Sequence, residues 1–203
     1  MKRKFHEVEQ NTDEWMQLRM GKITASNFST IMANLGKPFG KPAMDYAMRV
    51  AIEGHTKRVI ETFTNEWMER GKQLEEDARQ LYSSMNFVEV KPGGFAEWMR
   101  YGASADGQIN DCGLIEIKCV KYNTHFNTLI KGGYDTSYQW QIRGQMMLYD
   151  REWCDFVSYC PDFPQNKQLY VHRIKRDLIL EDQLMDRLAQ FEKLIDSYIQ
   201  ILS

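Results

Sequence analysis

The order of hydrophobic periods in this chain predicts an α/β fold: helices first, then a mixed sheet, then one long helix laid back on it. Three observations carry that reading. Apolar residues recur at helical spacing up to about residue 83. The pattern then changes to short strands over 87–119, separated by Gly, Pro and Asn turns. Finally Leu184, Leu188, Phe191, Leu194, Ile195 and Tyr198 line one face of a closing helix. At 203 residues the chain is long enough for one domain with a substantial core. The expected division of 1–203 is a single domain: a helical N-terminal part over about 11–83, a sheet-containing core over about 86–174, and a C-terminal helix over about 178–202.

The elements follow in order. Asn11 with Glu14 three residues later reads as a capping box opening a short helix that carries Trp15, Leu18 and Arg19. Gly21 interrupts it, and Ile23 to Ser26 lead into a second helix with Phe28, Ile31 and Met32 on one side. Residues 36–42 hold two glycines and two prolines among two lysines, the most loop-like stretch of the chain. Helices are expected over 43–53 and 65–83, the second carrying Trp67, Leu74, Ala78 and Leu81. Four strands are expected at 87–90, 94–98, 104–109 and 114–119, then helices at 124–131 and 136–149. Strands at 153–159 and 168–174 precede the last helix.

Composition excludes little. A net charge of −2 argues against indiscriminate coating of nucleic acid, yet basic residues can still gather along one channel. No apolar run is long enough to span a bilayer and no secretion signal is visible, so the inside of a cell is the expected location and the cysteines are expected to be reduced thiols. His6, His55, His125 and His172 have no ligand-like spacing, and no nucleophile triad or phosphate-cradling glycine loop is present.

The chemistry concentrates in 104–118. Glu116 and Lys118 are two apart and share a strand face, with Ile115 and Ile117 on the other. A turn through residues 110–113 folds the preceding strand back and sets Asp106 across from Glu116, give or take one residue. Two carboxylates there can share a divalent ion, and the neighbouring lysine can orient or activate a water or stabilise charge on a phosphate. The bare pattern also suits a solvated edge strand. Glu75 sits on a charged helix face, where it pairs with Arg79 or reaches over the hairpin as a further acid. Gln141 and Gln145 are one turn apart and either hydrogen-bond into such a site or form the polar side of an ordinary helix. If Ser26 caps its helix, the free N–H groups with Arg19 from the preceding helix make an anion site. Otherwise Ser26 is a plain cap and Arg19 a surface charge.

Taken together, these segments resemble the lambda-type phage exonucleases of the YqaJ-like viral recombinase group, within the PD-(D/E)XK nuclease superfamily. The resemblance runs through Glu14-Trp15, Arg19, Gly21 to Ser26, Arg70 to Glu75, Ser104 to Gly107, Gly113 to Cys119, Gln141 to Met146 and Trp153 to Tyr159, in family order. Ala105 departs from a proline common before the aspartate; proline there is not a ligand. The resemblance implies a restriction-endonuclease-like core with a central mixed sheet flanked by helices. It implies that Asp106, Glu116 and the Ile117 carbonyl bind Mg²⁺, with Mn²⁺ a possible substitute and two ions per site. Lys118 positions or deprotonates the attacking water, Glu75 lies near the second metal, and Gln141 is the helix glutamine with Gln145 a nearby alternative. Arg19, Ser26 and Ser104 match positions that hold a DNA 5′-phosphate, and Met68 the place of an apolar wedge at the terminal base pair. The implied activity is 5′→3′ digestion of linear duplex DNA from a 5′-phosphorylated end. It yields mononucleotides and a 3′ overhang for recombination by strand annealing. Implied partners are linear double-stranded DNA, a single-strand annealing protein and two further copies in a trimeric ring, in the cytoplasm of a bacterial host with no membrane. The rival readings are a structure-specific or restriction-like endonuclease on the same core, and a non-enzymatic DNA-end-binding protein.

Overall fold

The computed structural model describes residues 2–60 and 66–203, and within these the side chains of all but 66–72. The chain opens with strand β1 (Lys4–His6), helix α1 (Asp13–Arg19) and strand β2 (Ile23–Thr24). A 3-10 turn at Ala25–Asn27 runs into helix α2 (Phe28–Met32), followed by α3 (Lys41–Thr56) and α4 (Glu66–Asn86). Strands β3 (Val90–Lys91), β4 (Phe95–Trp98), β5 (Tyr101–Ala103), β6 (Gly107–Ile109) and β7 (Gly113–Cys119) come next. Helices α5 (Tyr122–Lys131) and α6 (Gln139–Tyr149), strands β8 (Trp153–Tyr159) and β9 (Leu169–Lys175), and helix α7 (Leu178–Leu202) complete the fold. Asp177 caps α7 by accepting from the Ile179 and Leu180 N–H groups, where the sequence places its start.

The strands form two sheets. One has five strands in the order β3-β6-β7-β8-β9, with β7 and β8 parallel and the other pairs antiparallel. The other has four strands in the order β1-β4-β5-β2. On one face of the five-stranded sheet, Ala78 and Tyr82 of α4 pack on Ile115, Ile117 and Val157. On the other, Ile142 and Met146 of α6 and Leu184 and Leu188 of α7 bury Leu114, Cys154 and Phe156. Gly144 is what lets α6 lie close to α2: a Cβ there would fall 2.3 Å from the Phe28 ring.

Three expectations are corrected. The strand expected at 104–109 is broken. The chain leaves the four-stranded sheet at Ala103 and joins the five-stranded one at Gly107, so Ser104 to Asp106 form a crossing between sheets. Backbone groups at a buried crossing need partners: Gln145, Gln10 and Arg79 donate to the Ser104, Ala105 and Asp106 carbonyls, and the Tyr149 hydroxyl joins the crossing to its flanks. It accepts from the Ala105 N–H at 3.1 Å and lies within donating distance of the Gly93 and Ala103 carbonyls, at 2.9 and 3.2 Å. Secondly, Thr12 rather than Asn11 caps α1, accepting from the Trp15 N–H, while Asn11 takes a left-handed φ of 68°. Thirdly, the N-terminal part is not wholly helical, since β1 and β2 come from it.

A buried polar cluster ties α4 to β8 and the edge strand β9. Asp155 on β8 accepts from the Tyr82 hydroxyl at 2.6 Å and from both arms of Arg173 at 2.8 and 2.9 Å. Burial, then the hydrogen bond to Asp155, pushes the Tyr82 phenol well above its ordinary range. Asp155→Ala leaves that hydroxyl orphaned, whereas Arg173, about half exposed, can return to water. Urea unfolding of Asp155→Ala is therefore expected to show a loss of about 1–3 kcal/mol, part of which Tyr82→Phe in the same chain restores.

Candidate active site

The register of β6 and β7 pairs Gly107 with Ile115, and the Asp106 N–H continues it by donating to the Ile115 carbonyl at 3.2 Å. Asp106 thus stands opposite Glu116. Its carboxylate is fixed by the Ile117 N–H, which donates to Oδ2 at 2.6 Å. Glu116 is almost wholly buried, 1% exposed, on the face of β7 that meets α6. Both glutamines of α6 reach it: Gln141 Nε2 donates to Oε1 and Gln145 Nε2 to Oε2, each at 2.6 Å. Lys118 Nζ donates to Oε1 at 2.5 Å and lies 4.8 Å from the Tyr138 ring centroid. Both oxygens of Glu116 are therefore engaged, by two turns of α6 and by Lys118 of its own strand.

The electrostatics are those of carboxylates crowded out of water. Burial, and next the charge of Glu116, pushes the Asp106 carboxyl well above its ordinary range. Glu75 is also raised, by burial first and in part by Glu116, with Arg79 opposing. For Lys118 burial acts downward, but Glu116 and Asp106 together outweigh it and hold the amine above the ordinary lysine range. Among the described residues the Lys118 ammonium and the Arg79 guanidinium face the mutual repulsion of these acids. Among the described residues no three His, Cys, Asp or Glu side chains are set to hold a metal ion. The donor set that fits a hard cation is thus two carboxylates, Asp106 and Glu116, completed by a backbone carbonyl and water. Gln145 Oε1, buried and without a hydrogen-bond partner, is an orphaned acceptor on the amide that holds Glu116.

Arg19, Ser26 and Ser104 gather beside this centre. The Arg19 guanidinium lies 4.0 Å over the Trp15 ring, and Trp15 Nε1 donates to Ser104 Oγ at 2.7 Å. Parallel strands β2 and β5 pair Thr24 with Gly102, so Ser26 and Ser104 continue from neighbouring positions at the same end. Ser26 Oγ is 3.3 Å from Thr24 Oγ1, and Asn27 Nδ2 donates to Thr24 Oγ1 at 3.1 Å. Burial lowers the Arg19 pKa, with Arg49 among the smaller causes, and among the described residues no carboxylate is ion-paired to it. Ser26 does not cap a helix. Thr24 holds the N-cap position of the 3-10 turn and α2 begins only at Phe28. The cluster offers hydroxyls and a guanidinium rather than a long helix dipole. The Met68 side chain lies outside the described residues.

Trp15, Tyr138 and Arg79 enter the site without having been singled out for it. Only Arg79 carried a sequence signal, its spacing of four from Glu75. Trp15 meets Ser104 across 89 positions, and no local pattern announces such a contact.

A glutamate and lysine on the central strand of a mixed sheet, an aspartate opposite them just ahead of the neighbouring strand, and helices on both faces define a PD-(D/E)XK nuclease fold. The family model for the YqaJ-like viral recombinase domain matches residues 14–152, and the chain belongs to that family. It is similar to the alkaline exonuclease LHK-Exo of Laribacter hongkongensis, at 32% identity and a TM-score of 0.86 over 94% of this chain and 96% of that one. The structure of LHK-Exo in complex with dAMP matches equally, with a TM-score of 0.86. A phage-related exonuclease from Haemophilus somnus 129PT shares the fold at 18% identity, with a TM-score of 0.74 over 93% of this chain and 99% of that one. No curated protein matches.

Proposed function

We propose that this protein is a DNA exonuclease that degrades one strand of linear duplex DNA from its 5′-phosphorylated end in the 5′→3′ direction. It releases 5′-mononucleotides and leaves a 3′ overhang for recombination by strand annealing. Family membership and the likeness to an alkaline exonuclease support the exonuclease. The observation that carries polarity is the juxtaposition of the anion cluster with the acidic pair. Ser104 and Asp106 are two residues apart, at most about 7 Å of chain, and one amide, Gln145 Nε2, donates both to the Ser104 carbonyl at 3.0 Å and to Glu116. A terminal phosphate seated at Arg19, Ser26 and Ser104 sets the next phosphodiester against the carboxylates.

In this reading Asp106, Glu116 and the Ile117 carbonyl hold Mg²⁺ or Mn²⁺, with Glu75 toward a second ion. Bound divalent ions supply water activation and neutralise charge on the phosphate and the leaving 3′-oxygen. The chain supplies the rest. Gln141 and Gln145 lock the Glu116 carboxylate in one orientation. Lys118, kept protonated by the acids, places a positive hydrogen-bond donor where the water and the scissile phosphate meet. The Trp15 face orients Arg19 for two-armed contact with phosphate oxygens. A ring of three copies and an annealing partner rest on the family resemblance. Among the described residues no helix is long and apolar enough to cross a membrane, and the cytoplasm of a bacterial host remains part of the proposal.

The test is digestion of linear duplexes labelled at the 5′ or the 3′ end, bearing 5′-phosphate or 5′-hydroxyl, in Mg²⁺ or EDTA. Labelled 5′-mononucleotide is expected first, from phosphorylated ends, in Mg²⁺ only. Digestion starting at 3′ ends defeats the polarity, and cutting of a closed circle favours the endonuclease. Arg19→Ala is expected to raise KM about 10–100-fold for phosphorylated ends, from the loss of charged hydrogen bonds of about 1.5–3 kcal/mol. It should leave the slower rate on 5′-hydroxyl ends unchanged.

A further inference from the structure

Arg79 follows Glu75 by one turn of α4, but its guanidinium does more than close a helix-surface pair. Nη2 donates to Glu75 Oε1 at 2.6 Å, and Nη1 meets Glu76. Nε leaves the helix altogether and donates to the backbone carbonyl of Asp106 at 3.1 Å. The Asp106 carboxylate is fixed separately, by the Ile117 N–H. One planar group thus joins the helix carboxylate to the backbone that carries the strand carboxylate, at the crossing between sheets. An exposed ion pair contributes little. A guanidinium that is mostly buried and bonded to two elements fixes their separation, because its donors diverge at set angles. The ammonium of a lysine cannot reach both acceptors in that geometry. Arg79, Glu75 and Asp106 together line a cavity of about 780 Å³, so no packed side chain would take over the tie if it were removed.

We infer that Arg79 is a positioning residue that sets Glu75 against the Asp106–Glu116 pair and thereby shapes the outer cation subsite. This rests on the reading of Glu75 and Asp106 as cation ligands. It acts through Glu75, and among the described residues none of its hydrogen bonds reaches Arg19, Ser26 or Ser104.

The test compares Arg79→Ala, Arg79→Lys, Glu75→Gln and the double variant Glu75→Gln/Arg79→Ala. Four quantities are measured: kcat and KM on 5′-phosphorylated duplex, the half-saturating Mg²⁺ concentration, Mn²⁺ binding by calorimetry without DNA, and the melting temperature. Arg79→Ala is expected to lower kcat and weaken Mn²⁺ binding, each about 10–100-fold, and to raise half-saturating Mg²⁺, while KM for duplex stays within about twofold. Arg79→Lys should recover the melting temperature and not kcat. In the Glu75→Gln background, Arg79→Ala should add less than about a twofold further loss, since residues acting as one unit are not additive. Full additivity with an impaired Glu75→Gln, Mn²⁺ binding by Arg79→Ala at the wild-type level, or wild-type kcat in Arg79→Lys overturns the inference alone. Glu75→Gln at wild-type kcat and Mn²⁺ affinity removes the Glu75 reading and this inference with it.

Discussion

Asp106→Asn is expected to abolish nuclease activity and, in the same measurement series, to raise the melting temperature of the metal-free protein. The activity loss, at least about 10³-fold, follows from removing one of two carboxylates on which a cation depends, worth several kcal/mol at the transition state. The gain in stability follows from the geometry of the pair. Asp106 is buried against Glu116 and its carboxyl is pushed well above the ordinary range, so ionising it works against the fold. The asparagine keeps an oxygen for the Ile117 N–H, which now donates to Asp106 Oδ2, and removes the charge. The sign with pH is fixed. Between the ordinary aspartate pKa and the raised one, the folded wild type holds a proton that the unfolded chain has lost. Wild-type stability from this group therefore falls as pH rises through that window and stays reduced above it. The asparagine variant lacks that fall, so the difference between the two proteins widens with pH. Each kcal/mol appears as about 2–4 °C for a chain of this length. Saturating Mg²⁺ should then raise the wild-type melting temperature by mass action and leave the variant unmoved. Thermal melts in EDTA and in Mg²⁺ across neutral and acid pH check all of this. A variant that melts at or below wild type throughout would contradict the crowded-carboxylate account. Glu116→Gln is the contrasting case. Its two oxygens accept from Gln141, Gln145 and Lys118, so a carboxamide turns one N–H₂ group toward another donor. That variant should lose both activity and stability.

The parts of this site legible in the sequence are those that depend on period and short loops. The spacing of two places Glu116 and Lys118 on one face, and the turn before Gly113 sets Asp106 in register. The closing helix was legible too, from its long apolar stripe, and the structure adds the Asp177 cap at its start. What stayed hidden depends on distant partners. The break at Ser104 to Asp106 has no local mark, since the side chains that hold it are distant: Tyr149 is 44 positions from Ala105 and Gln10 is 95. Strands β1 and β2 are three and two residues long, too short to show a period, and form only because β4 and β5 offer edges to them. Ser26 reads as a cap because serine before an apolar run usually is one; here the chain makes a 3-10 turn first, and Thr24 takes the cap position without a side-chain bond. Gln145 looked like the spare glutamine of the pair. The helix that carries them lies on the face of β7 that holds Glu116, and residues one turn apart reach the same carboxylate.

Lys118→Met is expected to cost somewhat less activity than the loss of the Asp106 carboxylate, with the opposite effect on the metal-free fold. Lys118 Nζ is bonded to Glu116 and faces the Tyr138 ring, and the acids hold it above the ordinary lysine range against the pull of burial. Because its folded pKa is raised, its contribution to stability is present below the unfolded lysine value and is lost only as pH climbs through the folded one. At neutral pH it is therefore a cation in full, balancing Asp106, Glu116 and Glu75. Methionine matches the stem but leaves Asp106 and Glu116 without the ammonium, while Arg79 stays paired with Glu75, so the variant should melt below wild type in EDTA, the reverse of Asp106→Asn. Divalent ions would supply the missing charge, and the rise in melting temperature on adding Mg²⁺ should be larger in Lys118→Met than in wild type. Cleavage stays lost, by about 10²–10³-fold, since a cation on the carboxylates does not replace a hydrogen-bond donor to the water and phosphate. This separates two roles that one side chain holds together. If Mg²⁺ restored activity along with stability, Lys118 would be a counterion only, and the donor role proposed for it would fall.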